Sequence, residues 1–224
     1  MYGHFYDNSY ANRDTYSLCP YILFHKVYDN PRFEHGDSAA FVALVQRESA
    51  DVRKLAQMYI HHFKHTHFDP LSGNHLQTGE DFFQHVIQTV NAPNVSTILF
   101  DWDRTLQQFE CMSTRSYAYW CAEMGAHTDE EQRALSKSMA VLHSGGTERF
   151  LKLRHMFAHI QLQKKNVYLV TANPAVLSPG YSIYLEIIRM WGLGTFKIVY
   201  STDKYRTFAH DSGLSIHCGP QLEY

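Results

Sequence analysis

Near the middle of the chain an apolar run, Ile98-Leu99-Phe100, leads straight into Asp101-Trp102-Asp103-Arg104-Thr105-Leu106. Consecutive apolar residues of this length read as a parallel strand buried on both faces. Where a strand leaves its sheet, alternate residues point the same way. The carboxylates of Asp101 and Asp103 can therefore converge at the strand's C-terminal end, where open α/β sheets place their ligands. Carboxylates brought together repel unless a cation or a shared proton separates them. An oxygen-only pair of this kind suits Mg2+, which bridges carboxylates to substrate phosphates.

A second apolar run, Val167-Tyr168-Leu169-Val170, ends in Thr171-Ala172-Asn173-Pro174. The residues between the two runs carry helical periodicity. Ser113 or Thr114 can cap a helix with Tyr117, Trp120, Cys121 and Met124, closed by Gly125. Thr128 and Glu131 form a capping box for a helix with Leu135, Met139 and Leu142 inward. After Gly145-Gly146, Thr147 caps a third, with Phe150, Leu153, Phe157 and Ile160 on one stripe. Right-handed crossovers bring strands joined in this way side by side. A further helix through Ile183, Ile187, Ile188 and Trp191 stops at Gly192 and leads to a third strand, Phe196 to Tyr200. This pattern predicts an α/β, doubly wound (Rossmann-like) parallel sheet over residues 93–224. It carries a small helical insertion at about 107–146, which either covers the aspartates or simply completes the crossover.

Residues 1–92 read as an N-terminal appendage, helical or irregular. The chain to about Gly36 is rich in Tyr, Asn, Asp and His, and Tyr21-Ile22-Leu23-Phe24 is either a strand or an aromatic clamp onto the core. Asp37 or Ser38 caps a helix with Phe41, Leu44 and Val45. Ser49 starts another, with Val52, Leu55, Ala56, Tyr59 and Phe63 on one face, and Thr78 with Asp81 opens a third through Val86, Ile87 and Val90. His61, His62, His65 and His67 gather where the second of these ends. His61 and His65 have the spacing of paired zinc ligands, but no nearby Cys or further motif completes a set. Helix C-termini favour histidine on dipole grounds alone, and a solvated helix end is the preferred reading.

With 45% apolar and 19% charged residues the composition is that of a soluble globular chain. A net charge of −2 gives no strong nucleic-acid signal. No apolar run approaches the roughly 20 residues that span a bilayer, and the first residues lack the regions of a signal peptide. Cys19, Cys111, Cys121 and Cys218 contain no C-x-x-C pair, which points to reduced thiols and a cytoplasmic location.

The Asp101-x-Asp103-x-Thr105-Leu106 strand end resembles the first motif of the haloacid dehalogenase superfamily, a family mostly of phosphatases. The resemblance implies Mg2+-dependent hydrolysis of a phosphorylated substrate through a phospho-aspartate. Asp101 would be the nucleophile, Asp103 the general acid/base, and both would face the metal. Thr171 resembles the second motif, whose Ser or Thr holds a phosphoryl oxygen, and Thr105, Ala172 and Asn173 fall where substrate-binding groups would sit. Lys204, after the third strand, stands where the resemblance puts the family's charge-neutralising lysine; it reads equally as a surface lysine. The phrase Gly145-Gly146-Thr147-Glu148-Arg149-Phe150, with the helix and strand after it, is similar to small members of this superfamily found in large DNA viruses and some protists. The resemblance covers roughly Val95 to Phe208.

The fourth motif departs from the family pattern. Members carry another apolar strand ending in one or two acids, one of which binds Mg2+. After Lys204 there is only Asp211, with no apolar strand before it, and Asp203 comes too early unless the order is altered. A catalytically impaired relative, kept as a binding module with residues 1–92 as its partner surface, is the alternative to a phosphatase.

Overall fold

The computed structural model describes residues 2–7, 22–26, 46–63, 80–103, 105–107, 115–171, 173–200 and 215–218. In chain order the strands are β1 (Tyr2–Asp7), β2 (Ile22–Lys26), β3 (Val95–Asp101), β4 (Asn166–Thr171), β5 (Lys197–Tyr200) and β6 (Ser215–Cys218). The helices are α1 (Ala50–Phe63), α2 (Glu80–Asn91), α3 (Tyr117–Met124), α4 (Asp129–Ser144), α5 (Thr147–Leu162) and α6 (Tyr181–Trp191). One sheet holds every described strand in the order β2-β1-β3-β4-β5-β6. The first five run parallel and β6 pairs antiparallel to β5. This is the α/β, Rossmann-like architecture expected from the sequence.

Strand progression reverses at β1. Its successor β2 lies on one side of it, while β3, β4 and β5 follow on the other. The crevice outside the carboxyl ends of the strands at such a reversal is the general ligand position in open α/β sheets. Here the reversal falls between β1 and β3, where Asp101 ends its strand.

Alternation along the strands explains the unbroken apolar runs. Ile98, Phe100, Val167, Leu169 and Ile198 enter one large core with residues from all six described helices. Phe5, Leu99, Val170 and Val199 point the other way and form a smaller buried cluster with Tyr168 against it. Both faces of the central strands are thus dry, which requires apolar residues at consecutive positions. Trp102 continues the inward parity, packed against Tyr184 and Trp191 at ring-centroid distances of 4.6 and 5.1 Å. Tyr59 of α1 stacks on Trp120 of α3 at 4.7 Å.

Local signals set the helix ends, with two changes from expectation. Ser116 caps α3 by accepting from the backbone N–H of Tyr119; Ser113 and Thr114 lie outside the described residues. The helix of Phe150 and Leu153 begins with Thr147 in its first turn and Gly146 as its cap residue. Thr147 instead donates its hydroxyl to Glu48 at 2.6 Å, tying α5 to the residues before α1. The Thr128–Glu131 capping box forms as expected. Ser49 starts α1 by accepting from the Val52 N–H at 3.3 Å. Gly125, Gly145 and Gly192 end their helices at φ of 71°, 84° and 80°, the left-handed region that glycine enters without penalty.

Residues 1–92 supply helices α1 and α2, and also two strands of the main sheet. Of the two readings of Tyr21–Phe24, the strand holds from Ile22. β1, which the sequence did not disclose as a strand, lies directly against β3, with Tyr6 opposite Phe100. The helix expected around Phe41, Leu44 and Val45 falls outside the described residues. The helices of the 107–146 region bury Trp120, Leu135, Met139 and Leu142 in the same core as the sheet. Among the described residues no helix is long and apolar enough to cross a membrane.

Candidate active site

β3 delivers its two aspartates into a tight turn. The Trp102 N–H donates to the Val170 carbonyl at 2.8 Å, carrying the β3–β4 ladder one residue past Asp101. The N–H groups of Leu106 and Gln107 then both donate back to the Trp102 carbonyl, at 3.2 and 3.1 Å, so the chain folds over the strand end. Arg149 of α5 holds this turn from beneath. Its guanidinium donates to the carbonyls of Leu106 at 2.5 Å, Thr105 at 2.7 Å and Ser144 at 2.9 Å. A planar fork with several fixed donors can tie carbonyls from two segments together in this way, which a lysine cannot.

Within the turn each carboxylate has named partners. The Thr105 hydroxyl donates to Asp101 Oδ2 at 3.1 Å. Asp103 accepts from Gln107 Nε2 at Oδ1, 2.9 Å, and from the Thr171 hydroxyl at Oδ2, 3.0 Å. Asn173 Nδ2 stands 3.5 Å from Oδ1, at the limit of a hydrogen bond. The Asn173 side chain also accepts from the Ala175 N–H, and its own N–H donates to the Thr171 hydroxyl. The ends of β3 and β4 are therefore joined by side chains as well as by the ladder.

Asp101 and Asp103 are 4% and 6% exposed, so both acids sit largely out of water. Arg149 is buried beside their turn, but its three hydrogen bonds go to carbonyls and not to carboxylates. Burial pushes its guanidinium down to about 9, which leaves it charged at neutral pH. Burial pushes the nearby His143 imidazole down to about 3, so it adds no positive charge there. Two buried carboxylates with an all-oxygen donor set fit a hard divalent cation.

Asp101, Asp103, Thr105, Thr171 and Asn173, each expected at the site, come together. Ala172 and Lys204 lie outside the described residues, as do His65, His67, Asp203, Asp211 and the side chains of His61 and His62. No cluster of three or more metal-ligating side chains occurs among the described residues. The backbone nevertheless brings a third acid to the same edge. One residue beyond the Tyr6–Phe100 pair, β1 ends in Asp7 and β3 in Asp101, on neighbouring parallel strands at the reversal of strand order.

Sequence reasoning missed Asp7 because a further acidic strand was sought only downstream. The usable signal was Gly3-His4-Phe5-Tyr6-Asp7, a short aromatic run ending in an acid. It also missed Gln107, His143 and Arg149. His143 falls on the buried stripe of α4 beside Met139 and Leu142, a place where a polar residue calls for a partner. Comparison of the chain with protein-family models, curated proteins and solved structures found no match to any of them.

Proposed function

We propose that this chain is a Mg2+-dependent phosphohydrolase that works through a phospho-aspartate on Asp101. The observation that carries the reading is the pair of buried acids at the end of the central strand, with Asp103 bonded to Thr171 on the adjacent strand. Asp101 attacks phosphorus in line with the leaving oxygen, which takes a proton from Asp103 as its bond to phosphorus breaks. Asp103, now a carboxylate, takes a proton from water. That water displaces Asp101 from phosphorus, releasing phosphate and restoring both acids. Thr171 and Asn173 take the phosphoryl-orienting role that the resemblance implies, and Thr105, which donates to Asp101 Oδ2, holds the nucleophile's rotamer. Asp101 and Asp103 are the residues that would hold Mg2+, and the backbone sets Asp7 at the end of the strand paired with theirs. When bound, the ion neutralises charge on the acids and the phosphoryl group, which phosphoryl transfer chiefly requires.

Asp7 bears on the resemblance as well. A short strand ending in an acid, beside β3, answers the description of the family's last motif, but it precedes the others in the chain. Lys204 keeps its proposed role as phosphoryl-binding cation. A cytoplasmic setting with reduced cysteines is part of the same reading.

A non-catalytic module is favoured by one observation: both oxygens of Asp103 accept hydrogen bonds from the protein, as a purely structural acid closing a turn would. Hydrolysis of p-nitrophenyl phosphate with and without Mg2+ decides between the two. The expected result is Mg2+-dependent turnover that Asp101→Asn abolishes with the thermal melt nearly unchanged. Full activity in that variant removes Asp101 from the role, and an inactive wild type favours the module.

A further inference from the structure

Asp103 is the end of a line of buried polar side chains that reaches back to the first described helix. Tyr59 Oη of α1 lies 3.2 Å from His143 Nε2. His143 Nδ1 lies 2.9 Å from Gln107 Oε1, and Gln107 Nε2 lies 2.9 Å from Asp103 Oδ1. Gln107 and His143 are 0% exposed and Tyr59 2%.

The proton positions follow from the chemistry of the two ends. A carboxylate only accepts, so the Gln107 amide turns its N–H to Asp103 and its carbonyl to His143. His143 Nδ1 must then carry a hydrogen. A neutral imidazole has one donor and one acceptor, so Nε2 accepts, and the Tyr59 hydroxyl donates to it. All three bonds point the same way, toward Asp103. Had any partner the opposite sense, two acceptors or two donors would face each other in a dry site, at the cost of an unpaired buried polar group.

We propose that His143 and Gln107 are positioning residues for Asp103, with Tyr59 fixing the His143 tautomer, so that a one-way hydrogen-bond relay from α1 and α4 fixes the rotamer of the acid/base carboxylate. The effect on turnover rests on the phosphohydrolase reading; the direction of the relay does not. Its purpose is physical rather than chemical. Asp103 must meet a leaving group and then a water without turning away, and the relay's bond to Oδ1 adds to the Thr171 bond on Oδ2 in holding the carboxylate's torsion. Outer partners of this kind typically change activity by about tenfold to a hundredfold when removed.

Two measurements on the full chain test it. Long-range proton–nitrogen correlation spectra of the imidazoles should show His143 as the Nδ1–H tautomer, unchanged from about pH 5 to pH 8. An Nε2–H tautomer, or an imidazole that titrates in that range, overturns the relay whether or not the protein has activity. The second measurement compares His143→Asn, which keeps an N–H near the position of Nδ1, with His143→Leu, which has none. Both cut the link to Tyr59 and both remove ring volume, so a merely structural role lowers the two melts and the two activities together. The relay predicts that His143→Leu loses about tenfold in kcat on an alkyl phosphate with KM unchanged, while His143→Asn keeps most of it. Equal losses overturn the proposal. An inactive wild type sinks the phosphohydrolase reading alone, and the tautomer then decides the relay.

Discussion

Asp103 and His143 carry opposite demands at the residue scale. On the proposed phosphohydrolase reading Asp103 exchanges a proton during turnover, whereas His143 is so deeply buried that it stays neutral. Asp103→Asn keeps the size and one acceptor oxygen but cannot exchange a proton. It should slow alkyl phosphates by about a hundredfold or more, and activated aryl phosphates far less, since these depart without protonation. Comparing the two substrates in the same variant checks this; a uniform loss with a lowered melt makes Asp103 a turn residue only. His143 predicts a pH effect on stability. Its folded pKa, about 3, lies below the unfolded value of 6.5, so between these values the unfolded chain binds a proton that the folded chain does not. Stability therefore falls as pH drops below about 6.5, by up to about 1.4 kcal/mol per pH unit from this group. Denaturant melts at several pH values should show a shallower acid slope for His143→Asn than for the wild type. Arg149 adds a third case. Arg149→Met leaves the Thr105, Leu106 and Ser144 carbonyls without their donor, at a cost of about 3 kcal/mol or more.

At the scale of elements, α4 is the piece on which site and scaffold meet. Its N-terminus is set by the Thr128–Glu131 box, where backbone N–H groups of Thr128 and His127 hold the Glu131 carboxyl below its usual range. Its C-terminal turn delivers His143 to Gln107, and Ser144 to both Arg149 and the Trp191 indole. The two ends have separable roles. Thr128→Ala should lower stability by about 1 kcal/mol, the usual value of a lost cap. Because the cap lies at the far end of a 16-residue helix from His143, kcat should not change. A thermal melt and a rate measured on the same sample check both parts. A fallen kcat at full folding would mean that α4 transmits its N-terminal position to the site.

For the molecule as a whole, the first strand completes the sheet edge on which the acids stand. Mg2+ that binds only the folded protein raises stability by RT ln(1 + [L]/Kd), about 2.7 kcal/mol at a hundredfold excess over Kd. Melts over a Mg2+ titration should show that rise, and Asp7→Asn should shift it to higher Mg2+ without lowering the metal-free melt. An unchanged titration would take Asp7 out of the metal site, and the absence of any Mg2+-dependent rise in the wild type would count against the metal altogether.

What the sequence determined by itself was local. The dry runs at Ile98–Phe100 and Val167–Val170, the capping box at Thr128 and the glycine stops at Gly125, Gly145 and Gly192 all act within one element. They were legible because a few neighbouring residues carry the whole cause. The meeting of Asp101, Asp103 and Thr171 was legible too, since a helical crossover between parallel strands leaves few arrangements. Only the tertiary structure decided that β1 lies beside β3, because the partners Tyr6 and Phe100 are far apart in sequence and strand pairing has no local signature at either end. The same holds for the line from Tyr59 through His143 to Gln107, whose members come from three elements. A tyrosine on an apolar stripe and a histidine on another look like packing until the fold removes the water between them. Burial then makes each of these polar atoms a hydrogen-bond partner of the next.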